Sequence, residues 1–201
     1  MNRIFLLSPA RTTGKRAELV LNPQAEFPLA RKLHRRQSVA LGEVFAFLSG
    51  LYFRGKLIYA TMFARPPAGL PGVLVITPNR GLVDVESRIT LSGLRSFSQV
   101  EVDCAESRYR QPVERDARRL ANEAAGCEFV LLGSISTRKY ASVLLPLLGE
   151  RLLFPTDFVG RGDMSRGGLL LRRARDGQEL QYAPLAGAVV RGSRPPRLER
   201  W

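Results

Sequence analysis

Four short segments combine glycine, hydroxyl and basic side chains in a way that suits a phosphate group. In SPARTTGKR (8–16), Ser8, Arg11, Lys15 and Arg16 surround Gly14. A glycine lets the backbone approach an anion closely, and the cations supply the charge. TPNRGL (77–82) offers Arg80, although Asn79 and Gly81 serve a tight turn equally well. LLGSISTRKY (131–140) places a glycine and hydroxyls ahead of a helix, whose first amides attract anions. There Ser134 or Ser136 caps the helix or contacts a ligand, with Lys139 and Tyr140 one turn inside. GRGDMSRGG (160–168) holds Arg161, Asp163 and Arg166, whose guanidinium groups contact phosphates or pair with Asp157 and Asp163.

Several familiar chemistries are missing. The first segment lacks the GxxxxGK[ST] spacing of a P-loop, and Ser165 stands where a GxGxxG fingerprint needs its last glycine. His34 is the only histidine and sits in the basic run RKLHRR, where a solvated surface role is the expectation; a Ser–His–Asp triad has no other imidazole to use. Cys104 and Cys127 form no CxxC pair and are expected to be reduced and structural. With His34 they give three scattered candidates where a zinc site needs four ligands, so no metal and no cofactor are expected. For base-excising chemistry the available acids are Asp84, Glu101, Asp103, Asp157 and Asp163, and Tyr52, Tyr140 and Phe158 are the aromatics that could stack on an extruded base.

These segments must be positioned by the elements around them. Apolar runs at 3–7 (RIFLL), 73–77 (VLVIT), 128–132 (EFVLL) and 151–154 (RLLF) predict buried strands, and QVEVD (99–103) shows strand alternation. Helical spacing predicts helices over 24–36, 42–49, 51–63, 112–125 and 137–148, with Pro112 in the first turn and Gly126 as the C-terminal cap of the fourth, and Ser136 capping the last. Strands that alternate with helices predict one compact α/β domain over residues 1–190, its mostly parallel or mixed sheet covered by helices. Residues 191–201 read as a basic, disordered tail. Three of the four candidate segments then follow strands, at the edge where such sheets bind ligands.

Composition adds a partner class. The chain has 201 residues and carries 31 basic against 18 acidic side chains, a net charge of +13. Residues 1–65 hold eleven of the cations and only three of the acids. Arginine-rich coding bias explains which cation is used, but not the excess over acids. A concentrated positive field attracts polyanions. No apolar run approaches the roughly 20 residues of a membrane span, and the apolar stretch at residues 4–8 is shorter than a secretory signal requires. A cytoplasmic location with no membrane partner is the expectation.

LLSPART (6–12), GLYFRGKLIYA (50–60), TPNRGLV (77–83), LLGSISTRKYASV (131–143) and GRGDMSRGGLLL (160–171) occur in an order that resembles the peroxide-stress YaaA family and its shorter uncharacterised relatives. That family opens with a SPAK-type tetrapeptide, with Arg11 here at the lysine position. It also has a late RG-x-MSR segment, matched by Arg161, Gly162, Met164, Ser165 and Arg166. The resemblance implies a compact α/β fold and binding of double-stranded DNA linked to protection from oxidative stress. More distantly, such folds look like those of nucleobase glycosylases. The reading is therefore a nucleic-acid-binding domain, with duplex DNA as partner. Its alternatives are an enzyme that cleaves an N-glycosidic bond of a nucleobase or nucleotide, and a protein-interaction module.

Overall fold

Strands that are apolar on both sides need cover on both faces, and the chain folds to supply it. The computed structural model describes residues 1–189, Gly192, Ser193, Pro195 and Pro196. β1 (Arg3–Leu7) leads to α1 (Lys15–Leu21) and α2 (Pro28–His34), then β2 (Val39–Ala40), α3 (Leu41–Ser49) and α4 (Leu51–Phe63). β3 (Val73–Thr77), β4 (Gly81–Asp84), β5 (Arg88–Ile89) and α5 (Leu91–Phe97) follow. The chain continues through α6 (Ser107–Glu123), β6 (Glu128–Leu132), α7 (Arg138–Leu148), β7 (Leu152–Pro155), α8 (Asp163–Arg175) and β8 (Tyr182–Pro184).

Six strands form one mixed sheet in the order β4-β3-β1-β6-β7-β8 within a single α/β domain. The four inner strands run parallel, and β4 and β8 close the edges antiparallel. The two-residue period of a strand sends successive side chains to opposite faces. Phe5, Leu7, Val75 and Val130 join one core with α1 to α5 and α8, while Ile4, Leu6, Ile76 and Phe129 join a second core with α6 and α7. β1 has β3 on one side and β6 on the other. The winding reverses there, and a crevice opens outside the carboxyl ends of the strands at such a point.

Local sequence reasoning misses in five places. The helix expected over 24–36 is only Pro28–His34, with Pro28 at its first position, and an unforeseen helix, α1, precedes it and takes in Lys15 and Arg16. Residues 99–103 form no strand: they link α5 to α6 through a turn in which Asp103 N donates to Glu101 O (3.1 Å). α6 starts at Ser107 rather than Pro112, because the Glu106 side chain accepts from Arg108 N (3.0 Å) and caps it, which leaves Pro112 inside the helix. Thr137, not Ser136, is the residue at the cap of α7. The glycine-rich segment at 163–175 is a full helix, α8, and β8 was not foreseen. The expected tail at 191–201 lies largely outside the described residues.

α4 and α8 cross with their backbones nearly touching. A Cβ on Gly55 would lie 2.7 Å from the Gly167 carbonyl oxygen, and a Cβ on Gly167 would lie 2.9 Å from Tyr52 Cα. Backbone atoms cannot swing aside as side-chain tips do, so two small residues are required at this crossing. Gly55→Ala should destabilise the fold by about 2 kcal/mol and lower Tm by about 4–8 °C. Gly162→Ala should leave Tm nearly unchanged, since that residue has ordinary backbone angles and open space around it. Thermal melts of the two variants check this; equal melting temperatures would contradict it.

Candidate functional site

Loops from the carboxyl ends of β1, β3 and β6 meet at the crevice. Between them lies a cleft of about 770 Å³, lined by Arg11, Thr13, Glu101, Arg108, Lys139 and Tyr140 among others. A volume of that order holds a nucleotide-sized ligand (pockets for small ligands span roughly 300–1,000 Å³). Arg11 is exposed, its Nε directed at Thr13 Oγ1 (3.4 Å). Arg80 rims an adjoining depression that shares Gln99, Val100 and Arg108 with the cleft. It is presented by a tight turn in which its own N–H donates to Thr77 Oγ1 (3.0 Å) and Gly81 takes φ 75°. Glu106 is held far below the usual carboxylate range, at about 2, chiefly by its hydrogen bonds from Arg108. That pair offsets itself, which leaves Arg11 and Lys139 facing a single other acid of the lining, Glu101.

Behind this cleft sits a buried polar cluster. Lys56, at 1% exposure, reaches from α4 to the end of β1. Its Nζ donates to Ser8 O (2.6 Å) and approaches Ser8 Oγ at 2.8 Å, with the rings of Tyr52 and Phe53 at 4.4 and 5.0 Å. The backbone just past β6 comes so close to Ser8 that a Cβ on Gly133 would lie 2.9 Å from the Ser8 Cβ. The Tyr140 phenol interacts with the Ser8 side chain from α7, and burial lifts it to about 12. Tyr52 Oη is buried and meets no partner in hydrogen-bonding geometry, although Arg166 lies beside it. Arg166 is itself buried: Nε and Nη2 donate to Phe158 O (3.2 and 3.0 Å), and Nη1 lies 3.8 Å from Asp163 Oδ1. Burial, opposed by Asp163 and reinforced by Arg166, lowers Lys56 from 10.5 to about 7.

The expected residues thus divide. Arg11 and Lys139 share the cleft with Tyr140, and Arg80 stands next to it. Ser8 and Arg166 belong to the buried layer, where Arg166 has no surface to offer a phosphate. Arg161 and Asp163 line a different depression beside α8, and Arg161 is engaged by Asp157 O (3.0 Å) and Ser165 Oγ (3.2 Å). The RG-x-MSR segment therefore clamps the turn at 156–158 onto α8. Arg16 Nη1 donates to Phe47 O (2.9 Å), Lys15 is exposed outside the cleft lining, and Ser134 Oγ bonds Ser136 Oγ (3.1 Å).

Phe158 is fully buried and cannot stack on a base. Asp84 and Asp103 cap turns by accepting from Glu86 N and Ala105 N, both at 2.9 Å. His34 is half-buried rather than solvated, its Nε2 donating to Val20 O (3.0 Å). Both cysteines are free thiols. Among the described residues, no three His, Cys, Asp or Glu side chains are grouped to hold a metal ion, and no helix is long and apolar enough to cross a membrane. A second, mostly basic depression lies at the end of α2, where Lys32, Arg36 and Arg88 line it together with Glu43, 3.7 Å from the Lys32 Nζ.

Sequence reasoning passed over Lys56 and Arg108. The signal for Lys56 was present: its neighbours one turn away, Tyr52, Phe53, Tyr59 and Ala60, make an apolar stripe with a cation in its middle. Comparisons with protein-family models, with curated proteins and with solved structures find no match.

Lys56 makes stability depend on pH with a definite sign. Its folded pKa is depressed, so between about 7 and 10.5 the unfolded chain binds the extra proton. Stability rises with pH wherever that is so. The penalty of the buried charge is complete below pH 7 and fades toward 10.5. Lys56→Met should therefore gain most over the wild type at pH 6, with the gap narrowing steadily through pH 9 and closing only near 10.5, as read by denaturant titration at each pH. A gap independent of pH would contradict the assignment.

Proposed function

We propose that this chain binds nucleic acid, duplex DNA in the first instance, by docking its phosphates at the crevice outside β1, β3 and β6. The observation that carries the reading is the nucleotide-sized cleft at the winding reversal of the sheet, with Arg11 and Lys139 on its walls and Arg80 at its rim. The net charge of +13 supplies the long-range attraction. The resemblance of the segments around Arg11, Arg80 and Lys139 to the YaaA family supports the same partner, and with it a role in DNA protection under oxidative stress.

An N-glycosidic enzyme is less well supported. It needs a protonatable carboxylate in the cleft. Glu106 is locked to Arg108, Asp157 and Asp163 lie elsewhere, and Glu101 is exposed.

Fluorescence anisotropy with a labelled duplex, at NaCl from about 50 to 200 mM, tests the binding reading. Affinity should fall steeply with salt. Arg11→Ala and Lys139→Ala should each weaken binding regardless of sequence and reduce the slope of log K against log salt by about 1. Arg161→Ala should leave both unchanged. No binding at about 50 mM salt, or equal loss in all three variants, would overturn the reading.

A further inference from the structure

Lys56 presents an unusual combination. An ammonium taken out of water costs several kcal/mol unless it is paired, yet among the described residues no carboxylate lies within ion-pair distance of its Nζ. Asp163 acts on it only through space. Its contacts are instead the Ser8 carbonyl and hydroxyl and two aromatic faces. A mere tie between α4 and β1 needs no ionisable group. A serine hydroxyl 2.8 Å from a desolvated amine is the arrangement in which a weak nucleophile gains a base. Ser8 follows β1 at the winding reversal and is itself buried, 5% exposed; its neighbours Pro9 and Ala10 and its contact Tyr140 line the cleft, so a substrate reaches Oγ past Tyr140.

We propose that Ser8 is a nucleophile activated by Lys56 and directed at a phosphodiester in the cleft. The substrate class rests on the nucleic-acid reading, whereas the Ser8–Lys56 pair does not. The amine is suited to the role because about half of it is neutral near pH 7. Neutral Nζ accepts the Ser8 proton as Oγ bonds phosphorus, and the bond from phosphorus to one sugar oxygen breaks. That oxygen leaves with the proton of Tyr140, which is protonated at neutral pH. Water then attacks the phosphoserine, giving one proton to the Tyr140 phenolate, and Lys56 returns its proton to the departing Ser8 Oγ. The sum is hydrolysis of one phosphodiester bond, with every group restored. Arg11 and Lys139, on the same cleft walls, face the charge that develops on the phosphoryl oxygens.

A fluorophosphonate probe reports such a serine directly. The full chain is incubated with it between pH 5.5 and 9, and the labelled peptide is identified by mass spectrometry. Label should fall on Ser8 alone, at a rate that rises with pH through a midpoint near 7. That midpoint reflects the groups facing Nζ: Tyr52 on α4, Asp163 and Arg166 on α8, and the Ser8–Tyr140 contact. Lys56→Met should cut the rate by about 100-fold or more, and the wild-type profile stands independently of how well that variant folds. No label on Ser8, or a rate that does not change with pH, overturns the dyad. Duplex binding by the unmodified wild type, measured in parallel, separates the two readings. Labelled Ser8 in a protein that binds no duplex upholds the dyad and overturns the phosphodiester as its substrate.

Discussion

The crossing of α4 and α8 at Gly55 and Gly167 sets the depth at which both helices sit on the sheet. Backbone contact there brings one turn of α4, carrying Tyr52 and Lys56, down to the end of β1, and brings Arg166 of α8 in behind it. With a side chain at either glycine the helices would stand apart, and Lys56 would no longer span the gap to Ser8. The charged end of that lysine would then find water, and its depressed pKa would go with it. Gly133 performs the matching service on the other side, keeping β6 close enough to hold Ser8 in place. Three glycines thus fix a cluster whose chemistry lies in side chains that are not themselves glycine.

Charge and geometry make different contributions to function. The excess of arginine is spread over much of the surface, including the exposed cations of α2, and such a field would attract polyanions without aiming them. Aim comes from topology. β3 and β6 flank β1 in parallel, so three loops converge on one crevice and carry Arg11, Arg80 and Lys139 with them. Glu106 and Arg108 cancel one another at its rim, which focuses the remaining field on the cleft walls.

The α/β class, the inner strands and helices α3, α4 and α7 were legible because apolar runs and helical stripes report burial, and burial decides those elements. The edges of the candidate site were legible for a related reason: a loop that follows a parallel strand has only one place to go. What escaped was set by contacts between distant segments. The alternation of residues 99–103 suggested a strand, but alternation supplies no partner, and the edge beside β3 is taken by β4. Glycine is a poor helix former, and the approach of α4 to Gly167 gives the glycine there a reason tertiary structure alone reveals. Arg166 looked like a phosphate ligand from its neighbours in sequence; burial behind α4 and the Phe158 carbonyl assigns it to the scaffold. Lys56 was visible as a cation in an apolar stripe, yet its partner Ser8 lies 48 residues away.

Hydrogen–deuterium exchange with and without a duplex oligonucleotide at low salt tests the central claim most directly, because the proposed partner would have two basic surfaces to choose between. Docking at the sheet edge predicts slowed exchange in residues 8–14, 98–106 and 133–140, with 31–39 unchanged. Protection confined to α2 and the segment to Val39 would show that the cleft is not where nucleic acid sits, and would contradict the account.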